Sequence, residues 1–294
     1  MIRRLAVLPV AALLAAGLTA CSAPTDPAHD GVVKVVASTN VYASIAQALA
    51  GSGADVTAII DDPTADPHSF EANPRVQLEL AQADLVIANG GGYDDFVDTM
   101  YAASGNSSAV VLHAVDFGLA DPTAAGFNEH VWYDYPTMSR LAATIASDLD
   151  AIDPDPARAG LLADFQTSLT ALEDRVSAIA RDHSGEGVVI TEPVPLYLLT
   201  GAGLMNLTPP QFSAAIEDDS DVPPTLLQEV LTVIPNASVV VVNGQTSGPQ
   251  TDAILAAAAT DGVPSFAVTE TIPAGLDYLT WQSGVLDQLE GALG

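Results

Sequence analysis

The sequence predicts an α/β protein of two parallel-sheet lobes with flanking helices, joined by one long rigid helix. Three observations carry this expectation. Short β-branched runs alternate with amphipathic or Ala-rich stretches, this alternation occurs twice, and an extended helical period separates the two occurrences. A strand-helix-strand rhythm favours a parallel sheet covered on both faces by crossover helices.

In the first occurrence, Val32 to Ser38, Ala54 to Ile60, Asp84 to Asn89 and Ala109 to Val115 are continuously apolar runs that suit buried parallel strands. Val41 to Leu49, Pro74 to Gln82 and Tyr93 to Ala103 read as the helices around them. The middle segment opens on Asp153-Pro154-Asp155-Pro156 and closes on Ser184-Gly185. Within it Leu161, Leu162, Phe165, Leu169, Leu172, Val176 and Ile179 recur at helical spacing. A helix over about 156–182 would be roughly 40 Å long at 1.5 Å per residue, which restrains hinge motion between the lobes. In the second occurrence Gly187 to Thr191, Ala237 to Asn243 and Pro264 to Thr269 read as strands. Pro223 to Val233, Pro249 to Ala259 and Tyr278 to Leu293 read as helices. The expected organisation is an N-terminal lobe over 32–152, a connecting helix over 153–185 and a C-terminal lobe over 186–294.

Ahead of the lobes, Arg3 and Arg4 precede an apolar run from Leu5 to Leu18 that is too short for a resident membrane helix, and Leu18-Thr19-Ala20-Cys21 follows. Residues 1–20 therefore read as an export signal. The motif resembles the bacterial lipoprotein signal, in which the cysteine thiol is acylated and becomes the new N-terminus. Cys21 is the only cysteine, so no intrachain disulfide can form, and lipid attachment gives that residue a purpose. Residues 21–31 are small, polar and proline-bearing, as in a flexible tether. The expected location is the outer face of the cell membrane, with the globular part a monomer.

Loss of residues 1–20 removes two of the eight Lys and Arg residues, leaving six against 37 Asp and Glu, a formal net of −31. Such a surface repels phosphate backbones and excludes nucleic-acid binding, while it concentrates cations nearby.

Open parallel sheets bind ligands beyond the carboxyl ends of their strands. His68 follows the second expected strand, and His130 lies in the loop after the fourth. Glu192 ends the first strand of the second half, and Glu270 its last. Singly, a loop histidine or a strand-end glutamate is ordinarily a solvated residue. Together, imidazole nitrogens and carboxylate oxygens from both halves suit a divalent first-row metal.

Asp66-Pro67-His68-Ser69-Phe70-Glu71-Ala72-Asn73-Pro74, Ala83-Asp84-Leu85-Val86-Ile87-Ala88-Asn89-Gly90 and Glu129-His130-Val131-Trp132-Tyr133-Asp134 resemble signature stretches of the zinc/manganese solute-binding lipoproteins of ABC importers. The resemblance covers about Val32 to Leu293 with its elements in order. It implies a receptor that captures one metal ion between two lobes and delivers it to a membrane permease. It also implies a ligand set of His68, His130, Glu192 and Glu270. The third position is commonly His in zinc carriers and Glu in manganese carriers, and Glu192 stands there. The fourth is commonly Asp, so Glu270 is one methylene longer. No His-rich insertion separates Asp116 from Glu129. Manganese is the favoured cargo, zinc the alternative with the higher intrinsic affinity, and iron(II) a third candidate.

The remaining histidines have other expected roles. His113 reads as a buried, hydrogen-bonded strand residue, His29 as part of the tether, and His183 as a cation at a helix C-terminus. Gly90-Gly91-Gly92 lacks the Gly-Lys-Ser/Thr of a phosphate loop. Asp66 and Glu129 are placed to orient metal ligands. A metal-dependent hydrolase would need an open metal position and a general base, and no His-Glu-x-x-His or Gly-x-Ser-x-Gly occurs. A surface adhesin remains compatible with the same fold.

Overall fold

The computed structural model describes residues 31–62, 70, 73–246 and 248–294. The export signal, Cys21, the tether up to residue 30 with His29, and Asp66 and His68 lie outside the described residues.

β1 (Val33–Thr39), α1 (Asn40–Ala50), β2 (Ala54–Ile60), α2 (Pro74–Leu80), β3 (Leu85–Ala88), α3 (Phe96–Ser104) and β4 (Val110–His113) build one four-stranded sheet. Its order is β2-β1-β3-β4, parallel throughout, with Val35 opposite Val56 on one side and Leu85 on the other. The helices α4 (Tyr135–Ile152) and α5 (Arg158–His183) follow. Then come β5 (Gly187–Ile190), α6 (Leu196–Gly201), β6 (Met205–Asn206), α7 (Pro210–Glu217), α8 (Pro224–Val233), β7 (Ala237–Asn243), α9 (Pro249–Asp261) and β8 (Ser265–Val268). This second sheet has the order β6-β5-β7-β8, again all parallel, and α10 (Tyr278–Leu293) closes the chain. Each sheet therefore reverses its winding between its first and third strands, and ligands bind at such a reversal.

Side-chain alternation divides each sheet between two cores. Val35, Ala37, Leu85 and Ile87 share one large core with Val188, Ile190, Val239 and Val241, so this core runs through both sheets. It also takes in the buried faces of α1, α4, α5 and α10. The opposite faces pack elsewhere: Val36, Val86 and Ala88 with Val76, Leu80 and Val97, and Val189, Val240 and Val242 with Phe212, Val230 and Ile254. Only the central strands are fully covered. β2, β4 and β8 are half-exposed edge strands, contrary to the expectation of burial, because each has a neighbour on one side alone.

The long helix is 26 residues, about 39 Å at 1.5 Å per residue, and buries Phe165, Leu169, Leu172 and Ile179. Arg175 on it reaches Asp287 at 2.6 Å and Glu290 at 2.9 Å on α10. α4 is absent from the expected elements although its period is plain. Tyr135, Met138, Leu141, Ala142, Ile145, Ala146 and Leu149 form one buried stripe behind Pro136 in the first turn.

Polar bonds join the two halves as well. The Asn40 side chain exchanges a pair of bonds with the Ile272 backbone at 3.0 and 2.9 Å. Tyr133 donates to the Thr269 carbonyl at 2.8 Å, and Tyr278 to the Trp132 carbonyl at 2.7 Å.

His113 is not buried. It ends the edge strand β4 with its side chain 28% exposed, and its Nε2 lies 3.1 Å from both Asp98 carboxylate oxygens. His183 does end α5, with Nδ1 at 2.9 Å from Glu186. Gly90 and Gly91 have φ of +77° and +69°, and a Cβ on Gly91 would lie 2.9 Å from the Phe127 ring. The turn they make encloses an internal anion: the buried Asp94 carboxylate accepts the Asn89 and Gly90 amides at 2.6 and 2.8 Å. Among the described residues no helix is long and apolar enough to cross a membrane.

Candidate metal centre

In the second half, β5, β7 and β8 bring Glu192, Asn243 and Glu270 to one rim, and all three are at most 2% exposed. Asn243 holds both carboxylates. Its Nδ2 donates to Glu192 Oε2 at 2.7 Å and to Glu270 Oε1 at 2.8 Å, while its Oδ1 accepts the Gln245 amide at 3.0 Å. The Thr246 hydroxyl donates to the other Glu192 oxygen. Gln245 in turn accepts the Glu270 amide through Oε1 at 2.5 Å and donates through Nε2 to Thr271 at 2.8 Å. Two buried carboxylates are thus oriented by neutral donors of the same half.

In the first half, His130 is completely buried at the start of a short 3-10 turn over Val131–Tyr133. Asn128 Nδ2 donates to the Pro193 carbonyl at 3.1 Å, which turns its Oδ1 toward His130. That oxygen accepts the His130 amide at 3.2 Å and ring Nδ1 at 2.6 Å. Nδ1 therefore carries the proton, and Nε2 keeps the lone pair that a metal requires. Tyr93 and Trp132 stand edge-on to the imidazole, with ring centroids 6.2 and 5.1 Å away. Burial pushes the Tyr93 hydroxyl well above its usual range, and the Glu270 charge adds to it, so Tyr93 adjoins a residue from each half.

Facing His130 Nε2 is Glu217, at the last position of α7, with Oε1 3.3 Å away and its side chain 14% exposed. Burial first, and then the charges of Glu129, Glu192, Glu270 and Asp218, raise the Glu217 carboxyl to about 9. Every charge named there is negative. Glu129, His130 and Glu217 bring one ligand atom each to within 4.8 Å of one another.

The structure thus brings His130, Glu192 and Glu270 of the expected ligand set to one buried locus, and His68 lies outside the described residues. The sequence reading misses Asn128, Asn243 and Glu217. The strand-end rule that selected Glu192 also selects Asn243, the last residue of β7. Asn128 stands two residues before a candidate ligand. Glu217 has no such signal, because it comes from a helix end within a run of acidic residues.

Two parallel sheets, one with buried carboxylates at its strand ends and the other followed by a loop that carries a buried imidazole, form the two-lobed α/β fold of solute-binding proteins. The chain belongs to the family described as zinc-uptake complex component A, periplasmic, which matches residues 35–292. The manganese-binding lipoprotein MntA of Halalkalibacterium halodurans is 26% identical over 192 residues, covering 63% of each chain. The metal ABC transporter substrate-binding lipoprotein FimA of Streptococcus parasanguinis is 29% identical over 50% of this chain and 51% of its own length. The chain thus spans between about half and two thirds of the length of these curated relatives. The fold matches that of FpvC from Pseudomonas aeruginosa, solved in complex with Mn2+, with TM-score 0.73 and 19% identity over 90% of this chain and 98% of that one.

Proposed function

We propose that this protein is an extracytoplasmic receptor that captures a divalent transition metal ion between its two lobes and delivers it to an ABC-type membrane importer. The observation that carries the reading is the Asn243 clamp on Glu192 and Glu270, together with a completely buried His130 whose ring is oriented by Asn128 through Nδ1. Imidazole with carboxylates suits a first-row dication, and the metal here is cargo. His68, His130, Glu192 and Glu270 are the proposed ligands. In this reading Cys21 carries the lipid that holds the receptor at the outer face of the membrane, and the chain acts as a monomer without catalysis. The relatives named for manganese or metal binding support the cargo class.

Manganese is the proposed physiological cargo, since two carboxylates give a harder shell than a third imidazole would. Zinc binds more tightly in vitro by the Irving–Williams order. The test is elemental analysis of protein purified without added metal, followed by dye-competition titration with Mn2+ and Zn2+. One bound dication per chain is expected, with affinity lost in His130→Ala. Absence of saturable binding by the wild type overturns the reading.

A further inference from the structure

We infer that Glu217 is itself a metal ligand, contributed by a helix end where the other proposed ligands come from strand ends or loops. The inference rests on the receptor reading above and adds a residue to its site.

The geometry is that of two donors to one ion. Ligand atoms each about 2.1 Å from a metal and 90–109° apart are about 3.0–3.4 Å from each other. Glu217 Oε1 and His130 Nε2 are 3.3 Å apart, with the imidazole completely buried. Glu129 lies beside them, and Glu129, His130 and Glu217 each bring one ligand atom to within 4.8 Å of the others.

Local structure fixes Glu217 in that position. The end of α7 is closed by paired backbone bonds, from the Ser220 amide to the Ala215 carbonyl at 2.9 Å and from the Asp219 amide to the Ile216 carbonyl at 3.1 Å. Asp219 takes the left-handed residue of that cap, at φ 48°, where glycine is usual. Glu217, Asp218 and Asp219 stand at the negative end of the helix dipole, an arrangement that a nearby cation relieves.

A fifth protein donor matters differently for the two metals. Zinc is satisfied by four ligands, whereas manganese prefers a larger shell of oxygens. Glu217 therefore adds to manganese affinity more than to zinc affinity.

One measurement on the full chain tests this. Competition titrations of Glu217→Gln, with far-ultraviolet circular dichroism as the check on folding, are expected to give at least about tenfold weaker Mn2+ binding and a smaller loss for Zn2+. Unchanged affinity in Glu217→Gln overturns the inference. So does increased affinity, which would make Glu217 a competitor for His130 Nε2. In either of these cases His130→Ala still loses binding and the receptor reading stands; it fails separately if the wild type binds no dication.

Discussion

Asn128 Oδ1 accepts the His130 Nδ1 proton at 2.6 Å, and the same side chain donates to the Pro193 carbonyl in the opposite half at 3.1 Å. The protonation pattern of the imidazole is thus tied to the approach of the two halves. Tyr197 reinforces the link by donating to the Asn128 carbonyl at 2.8 Å. Separation of the halves would release Asn128 and, with it, the ring orientation that points Nε2 into the site.

Asn128→Ala is therefore expected to weaken metal binding by about 10–100-fold, the usual cost of losing a partner that orients a ligating histidine. The substituted side chain touches no metal. Competition titration with Mn2+ and Zn2+ checks the effect, and equal affinities in variant and wild type would remove Asn128 from the site's support.

Asn243 makes a different prediction because it separates two carboxylates. Asn243→Asp replaces a shared donor with a third negative group between Glu192 and Glu270. Hydrogen bonds to charged groups are worth about 1.5–3 kcal/mol each, and a chain of this size loses about 2–4 °C in Tm per kcal/mol. The metal-free variant should melt about 6–24 °C below wild type, and saturating Mn2+ should raise its Tm by more than it raises that of wild type. Equal metal-induced shifts would show that the two carboxylates do not meet at the ion.

Glu217 sets a pH dependence in the metal-free protein. Its carboxyl titrates near 9 when folded, pushed up by burial and then by Glu129, Glu192, Glu270 and Asp218, against 4.5 for the unperturbed group. A raised folded value means that the unfolded chain releases the proton first. The stabilising contribution is therefore complete below about pH 4.5 and is lost as pH rises toward 9. Denaturant midpoints of metal-free wild type should fall over pH 5–9, and those of Glu217→Gln should fall less. Parallel pH profiles for the two would contradict the assignment.

These predictions rest on side chains that the sequence discloses unevenly. The strands β2 and β7 and the helix α10 are legible to the residue, because apolar runs between turn residues admit one reading. The edge character of β2, β4 and β8 is not, since strand order depends on pairing between distant segments. The stripe of α4 was legible from Tyr135 to Leu149 but carries an Ala-rich, polar middle that dilutes it. At the site, His130, Glu192 and Glu270 follow from the strand-end rule, and the same rule would have reached Asn243. Glu217 follows from no local pattern. Its part depends on where α7 ends in space, within 3.3 Å of a residue 87 positions earlier.

The attachment of the receptor is tested separately from its cargo. Cys21→Ala should release the protein from membranes into the soluble fraction, because acylation of that thiol is the proposed anchor after the proposed removal of residues 1–20. Fractionation after detergent-free washing checks this, and retention of the variant on membranes would contradict the lipobox reading.

The choice of metal is most directly probed at Glu192. Both of its oxygens accept bonds, Oε2 from Asn243 and Oε1 from the Thr246 hydroxyl. Glu192→His places an imidazole against those same donors, and one neutral ring nitrogen can accept where two carboxylate oxygens did, so a donor loses its partner. Absolute affinity should therefore fall for both ions. The ratio should move the other way, because a borderline nitrogen replaces a hard oxygen and manganese loses more by that exchange than zinc does. Dissociation constants for Zn2+ and Mn2+, measured by dye competition in wild type and variant, are expected to show the zinc preference increased by at least about tenfold. A preference that stays constant or decreases would mean that Glu192 does not touch the ion, and the case for manganese as cargo would then lose its principal support.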